Sequence, residues 1–151
     1  MRIGVYSIEK SSSGFVDGMV KEYVKQASRY AKLEDIVVFN KEIAKAQTVD
    51  ALAAKEAYTK AFEPHMKGFC VALDVQGETL ESTSFAKMIA SESDIRFFIG
   101  GAYGFCADFL TKHQKVISLS RLTYAHKIAK VVLFEQIYRG LCINHHHPYH
   151  K

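Results

Sequence analysis

The sequence predicts an α/β domain, a mostly parallel sheet with helices on both faces. Three observations predict it. Short apolar runs alternate with longer amphipathic or Ala/Lys/Glu-rich stretches along all 151 residues. Strand-then-helix alternation favours parallel pairing through crossover helices, with both sheet faces covered. Two of the apolar runs stop abruptly in loops rich in glycine or hydroxyl residues, at what would be strand carboxyl ends.

The elements follow in order. Ile3 to Ile8 is an apolar strand. Phe15 to Tyr30 is an amphipathic helix, with Phe15, Met19, Tyr23 and Ala27 at helical spacing on the inner face. Ile36 to Phe39 is a second strand. Lys41 to Phe62, rich in Ala, Lys and Glu, is mostly helical, and Pro64 marks its end. Its lysines read as a solvated face. Phe69 to Leu73 is a continuous apolar strand, and Ser82 to Ser91 a helix with Phe85, Met88 and Ile89 inward. Ile95 to Ile99 and Val116 to Leu119 are strands separated by a short helix, and Ala125 to Ile143 is the last helix.

Composition bounds the rest. At 151 residues and 48% hydrophobic content, residues 1–151 form one domain with a real core. There is no low-complexity linker and no internal repeat. No apolar run reaches transmembrane length, and the N-terminus lacks the basic-then-apolar layout of a signal peptide, so a cytoplasmic protein is expected. Cys70, Cys106 and Cys142 are odd in number and widely spaced, which fits neither a disulfide framework nor paired zinc knuckles. A net charge of +4 permits RNA binding without demonstrating it.

Several residues are candidates for chemistry. Gly100, Gly101 and Gly104 follow the strand Ile95 to Ile99, where a missing Cβ lets backbone approach a ligand; a plain tight turn is the alternative. The spacing is not that of a dinucleotide-binding loop. Ser120 to Ala125 follows the next strand; it offers backbone groups and the apolar Leu122 to a ligand, or simply joins the last helix with Thr123 as N-cap. Glu135 and Arg139 stand four apart, an ion pair worth roughly 0.3–0.5 kcal/mol if exposed. Yet Ile128, Val131, Val132, Leu133, Ile137 and Leu141 make that helix apolar almost all round. It has more apolar circumference than one small sheet covers, so a two-fold homodimer is expected. His126, at the helix start, is a base, an RNA contact or a structural residue. The tail holds His145, His146, His147 and His150; no metal is expected there, since metal sites gather ligands from defined elements. Tyr149 can stack on an unpaired base and His150 can hydrogen-bond it.

Taken in order, Leu73-Asp74-Val75-Gln76-Gly77, Gly100-Gly101-Ala102-Tyr103-Gly104, Ser120 to His126, Phe134-Glu135-Gln136-Ile137-Tyr138-Arg139 and Pro148-Tyr149-His150-Lys151 closely resemble the RlmH family. Those are bacterial SPOUT-superfamily enzymes that use S-adenosylmethionine to methylate N3 of a pseudouridine in large-subunit ribosomal RNA. Ala125 departs from the family's usual proline before the histidine, which frees φ but removes no reactive group. The resemblance implies a SPOUT α/β-knot fold with a C-terminal trefoil knot, which periodicity alone does not reveal. It implies that Leu73, Gly100, Gly101, Ser120, Arg121, Leu122, Thr123, Tyr124 and Ala125 hold S-adenosylmethionine. It implies that His126, Arg139, Tyr149 and His150 serve catalysis. The implied partners are a second copy of the chain and 23S rRNA within the ribosome, with no metal, membrane or DNA. A non-catalytic RNA- or ribosome-binding module of the same fold is the alternative, and a small nucleotide-binding α/β protein with another ligand is a second.

Overall fold

The computed structural model describes residues 1–10 and 14–151. Five parallel strands form one sheet: β1 (Arg2–Ile8), β2 (Lys32–Val38), β3 (Phe69–Thr79), β4 (Asp94–Ile99) and β5 (Lys115–Ser118), in the order β2-β1-β4-β3-β5. The helices are α1 (Phe15–Ala27), α2 (Lys41–Gln47), α3 (Ala51–Phe62), α4 (Ser82–Ala90), α5 (Ala107–Leu110) and α6 (His126–Asn144).

Period-two alternation along the central strands splits the core in two. Ile3, Val5, Ile95, Phe97 and Ile99 face one side, against Val20 of α1, Phe85 and Ile89 of α4, and Leu133, Phe134 and Ile137 of α6. Tyr6, Ile8, Cys70, Ala72 and Phe98 face the other, against Ile43 of α2, Tyr58 and Phe62 of α3, and Phe109 of α5. Both faces are covered, as the alternation of elements requires.

Local differences from the sequence reading have local causes. The stretch expected as one long helix is two. Asn40 caps α2 by accepting from the Ile43 N–H at 2.8 Å, and Asp50 starts α3 by accepting from the Ala53 N–H at 2.7 Å. Edge strand β2 begins at Lys32, earlier than its apolar residues suggest, because pairing of Arg2 with Lys32 extends the ladder through polar positions. Met19 points outward, and Val20 takes the inner place; the Phe15 side chain lies outside the described part. Cys70 and Cys142 are buried and all three cysteines are free thiols. No helix among the described residues is long and apolar enough to cross a membrane.

Strand β3 runs well past Leu73. It leaves register after Leu73, and both Leu73 and Glu78 pair with Ile117 of β5. Residues 74–77 therefore bulge at the carboxyl end of the sheet. Gly77 must be glycine, since a Cβ there would lie 2.5 Å from the Ile117 carbonyl carbon.

One buried ion cluster ties α6 to the sheet. Lys130 is 2% exposed and meets Glu9 at 2.5 Å and Asp35 at 2.8 Å. Burial pushes the Asp35 carboxyl above its ordinary pKa even though the Lys130 ammonium pulls it down. Removing the lysine leaves two carboxylates without their cation, the expensive way to break a buried cluster. We expect Lys130→Met to lose about 3–5 kcal/mol at neutral pH, read from the urea midpoint. A raised folded-state pKa means that Asp35's contribution is present at low pH and lost as pH rises through that pKa. Without Lys130 the pKa rises further, so the deficit of the variant should narrow on acidification.

Candidate functional site

The carboxyl ends of β3, β4 and β5 converge, because Leu73 pairs with Ile99 on one side and Ile117 on the other. A cavity of about 220 Å³ opens there. The bulge within β3 contributes Asp74 and Val75, the loop after β4 contributes Gly100 to Ala102 and Gly104, and the loop after β5 contributes Ser120, Leu122 and Tyr124. His126 and Ala129 close it from the first turn of α6. This is the crevice beyond strand ends where open α/β sheets bind ligands.

Each loop is braced from within. Asp74 Oδ1 accepts from the Gln76 N–H at 2.9 Å, shaping the bulge. The Gly104 N–H donates to the Gly101 carbonyl at 3.0 Å, and Gly104 sits at φ +73°, the left-handed region. A Cβ on Gly104 would meet nothing within 4 Å, so its side toward the cavity is open. Ser118 Oγ donates to the Ser120 carbonyl at 2.8 Å, and Ser120 Oγ accepts from the Leu122 N–H at 3.0 Å. That turn projects Leu122, 73% exposed, at the cavity. Helix α6 starts at His126 with Ala125 as its N-cap and no side-chain cap, so Thr123 does not cap it.

Of the residues expected to hold a methyl donor, Leu73, Gly100, Gly101, Ser120, Leu122 and Tyr124 line the cavity. Arg121, Thr123 and Ala125 belong to the same loop but are exposed and do not line it. The sequence reading missed Asp74, Val75, Ser118 and Leu119 as lining residues. The signal for the first two was the polar and glycine residues directly after Leu73. Apolar walls, exposed backbone and one carboxylate suit a small, largely apolar ligand with a cationic group.

The expected catalytic residues fall in two places. His126 lines the cavity. Arg139, Tyr149 and His150 cluster at the far end of α6. Thirteen residues of helix separate His126 from Arg139, about 20 Å along the axis. There Glu135 Oε1 accepts from Arg139 Nε at 3.0 Å, from Arg139 Nη2 at 2.6 Å and from the Tyr149 hydroxyl at 3.1 Å. The Arg139 guanidinium also lies 4.7 Å from the centre of the Tyr149 ring. Burial first, then Glu135, pushes the Tyr149 phenol well above its ordinary pKa, so it stays protonated at neutral pH. Arg139 Nη1 lies 3.2 Å from His150 Nδ1. A guanidinium only donates, so in this contact Nδ1 is the acceptor and the ring proton sits on Nε2.

The other tail histidines finish the helix. His146 takes φ +55°, its N–H donates to the Ile143 carbonyl, and the His147 N–H donates to the Cys142 carbonyl at 2.9 Å. This is a Schellman cap. His145 Nδ1 bonds the Leu141 carbonyl at 2.8 Å, and its ring stacks on Tyr30 at 4.5 Å.

A family model described as predicted SPOUT methyltransferase matches residues 1–150. The chain is 52% identical, over 151 residues and the whole of both chains, to a Campylobacter concisus (strain 13826) protein named ribosomal RNA large subunit methyltransferase H. It is 49% identical, again over the whole of both, to the protein of that name from Aliarcobacter butzleri (strain RM4018). The crystal structure of a tRNA (m1G37) methyltransferase from Aquifex aeolicus superimposes with a TM-score of 0.56 at 15% identity, covering 92% of this chain and 70% of that one. At that identity the likeness is one of fold.

The left-handed turn at Gly104 yields a direct test. Gly104→Ala should cost roughly 1–2 kcal/mol of stability, because L side chains resist that conformation. Gly104→Asn should cost less, since asparagine tolerates it. Denaturant titration of the two variants checks the order.

Proposed function

The chain belongs to the SPOUT methyltransferase family, and from that premise we propose that it transfers a methyl group from S-adenosylmethionine to N3 of a pseudouridine in 23S rRNA. The observation that carries the reading is the cavity built by three convergent strand ends, with the residues that a methyl donor would require. The proposed substrate is the rRNA within an assembled ribosome. A single small domain offers little surface for sequence readout, so ribosome shape supplies the recognition. The proposed compartment is the cytoplasm. A trefoil knot at the C-terminal end is part of the same proposal: α6 leaves edge strand β5 and returns to pack with α1 and α4.

The donor supplies an electrophilic methyl on a sulfonium. The chain's task is to hold donor and acceptor nearly in line. Gly100, Gly101, Gly104, Ser120 and Tyr124 would hold the donor, with Leu73, Leu119 and Leu122 as apolar walls. Asp74 places a carboxylate at the cavity for the donor's cationic end. N3 of pseudouridine must lose a proton as it attacks, so a base and an anion-stabilising group are required. His126 lines the cavity and is the candidate base. Arg139 is a fixed cation, and His150 presents an Nε2 proton; both suit the developing anion. Tyr149 is held by Glu135 and Arg139 and offers a ring for stacking on the base.

These groups are too far apart within one chain to share a substrate, so we place the active site between two subunits. The tail cluster of one faces the donor cavity of the other. The exposed apolar residues support this. Val75, Tyr103, Leu122 and Ile128 are all exposed and all lie on elements around the cavity mouth. A two-fold partner would cover them.

Two experiments test the reading. Removing Tyr149, His150 and Lys151 should abolish transfer of labelled methyl to ribosomes lacking the modification, while calorimetric affinity for S-adenosylhomocysteine stays near that of the full chain. Full activity in the truncated protein would remove the tail from catalysis. Equal modification of naked rRNA would remove the argument from ribosome shape. The second experiment co-expresses the tail-less chain with a Gly101→Val chain whose donor loop is disabled. Mixed dimers should regain activity that neither homodimer has, since one of their two composite sites is intact. A monomer at micromolar concentration by sedimentation, or inactive mixed dimers, would contradict the shared site.

A further inference from the structure

We infer that Tyr58 of α3, held by Gln47 of α2, is a positioning residue that sets where the glycine loop 100–104 stands relative to the donor. The inference rests on the donor-cavity reading above and adds a pair of residues that do not line the cavity.

Gly101 is sandwiched. On one side it lines the cavity. On the other, a Cβ at Gly101 would lie 2.5 Å from Tyr58 Oη, 2.6 Å from Cζ and 3.0 Å from Cε2. Glycine is therefore required here by the protein behind the loop, where the sequence reading expected a ligand in front of it. Tyr58 is fully buried among Phe62, Phe98, Ile43 and Phe105, so its ring has no room to retreat. Gln47 Nε2 donates to Tyr58 Oη at 2.6 Å and fixes the phenol. A phenylalanine would fill the same apolar space without needing a buried polar partner. The hydroxyl and its glutamine instead meet where the core touches the donor loop. Pushing the ring forward would drive residues 100–104 into donor space, and losing its anchor would let them drift back.

The test measures S-adenosylhomocysteine binding to the full-length protein by calorimetry, with thermal melts to confirm folding and with donor KM and kcat from the labelled-methyl assay. Gly101→Ala should weaken binding about tenfold or more, which is 1.4 kcal/mol or more in affinity. Tyr58→Leu removes the three atoms that the new methyl would strike. The Gly101→Ala/Tyr58→Leu double variant should therefore bind within about threefold of Tyr58→Leu alone, the coupling expected of residues in contact. Tyr58→Phe and Gln47→Leu, both milder, should each raise donor KM several-fold and leave kcat at saturating donor unchanged. A purely structural tyrosine would lower the melting temperature without moving KM. Unchanged affinity in Gly101→Ala, or no recovery in the double variant, would overturn the inference. Should Tyr58→Leu not fold, matching KM shifts in Tyr58→Phe and Gln47→Leu decide for it and unshifted KM values against it. Absence of binding by the unaltered protein would instead refute the donor reading itself.

Discussion

Leu73 is hydrogen-bonded into the sheet between Ile99 and Ile117, and that double registration sets the level at which β4 and β5 end and β3 bulges. Everything at the candidate site depends on it. Parallel strands in register release their chains on the same side, and each released chain becomes a loop over one crevice. The bulge at residues 74–77 exists because β3 must leave Ile117 and then find it again at Glu78. Gly77 makes the return fit, since its missing side chain lets backbone lie directly on Ile117.

Helix α6 couples this crevice to the rest of the molecule. Its first turn supplies His126 to the cavity, its next turn carries Lys130 into a buried cluster with Glu9 and Asp35, and its middle and later turns carry Glu135 and Arg139. Buried charge is poor evidence of stability but good evidence of fixed position, because the geometry must be right for it to persist. Lys130 thus locks the helix against translation along the sheet, and with it the separation between the two groups of polar residues. A rigid rod that carries His126 and Arg139 well apart keeps the two groups from meeting one small molecule in one chain.

The glycine loop shows that one motif can be required for more than one physical reason. Gly100, Gly101 and Gly104 stand at the cavity as the strand-then-glycine pattern implies. But Gly104 is glycine for its left-handed turn, and Gly101 is glycine because Tyr58 stands behind it. The first cause is local to the loop; the second cannot be found within the loop's own residues. Nothing in the residues around Tyr58, in an Ala-rich helix, points to the glycine loop. Likewise the four tail histidines read as one group, while the fold spends three of them finishing α6 and aims only His150 at Arg139.

The sequence by itself determined the α/β class, the five strands, the glycine and Ser120 loops, and the apolar character of α6. These are written in local patterns: apolar runs at β1 and β4, Ala/Lys/Glu-rich stretches between runs, and glycines after Ile99. The resemblance of its ordered motifs reached the family. Only the tertiary structure decided the strand order, the return of β3 to Ile117, the Lys130 cluster, the Tyr58 contact and the distance between His126 and Arg139. The physical reason is range. Propensity, capping and periodicity act over a few residues, whereas register and side-chain contact join residues dozens of positions apart, as Lys130 joins Glu9 and Gly101 meets Tyr58.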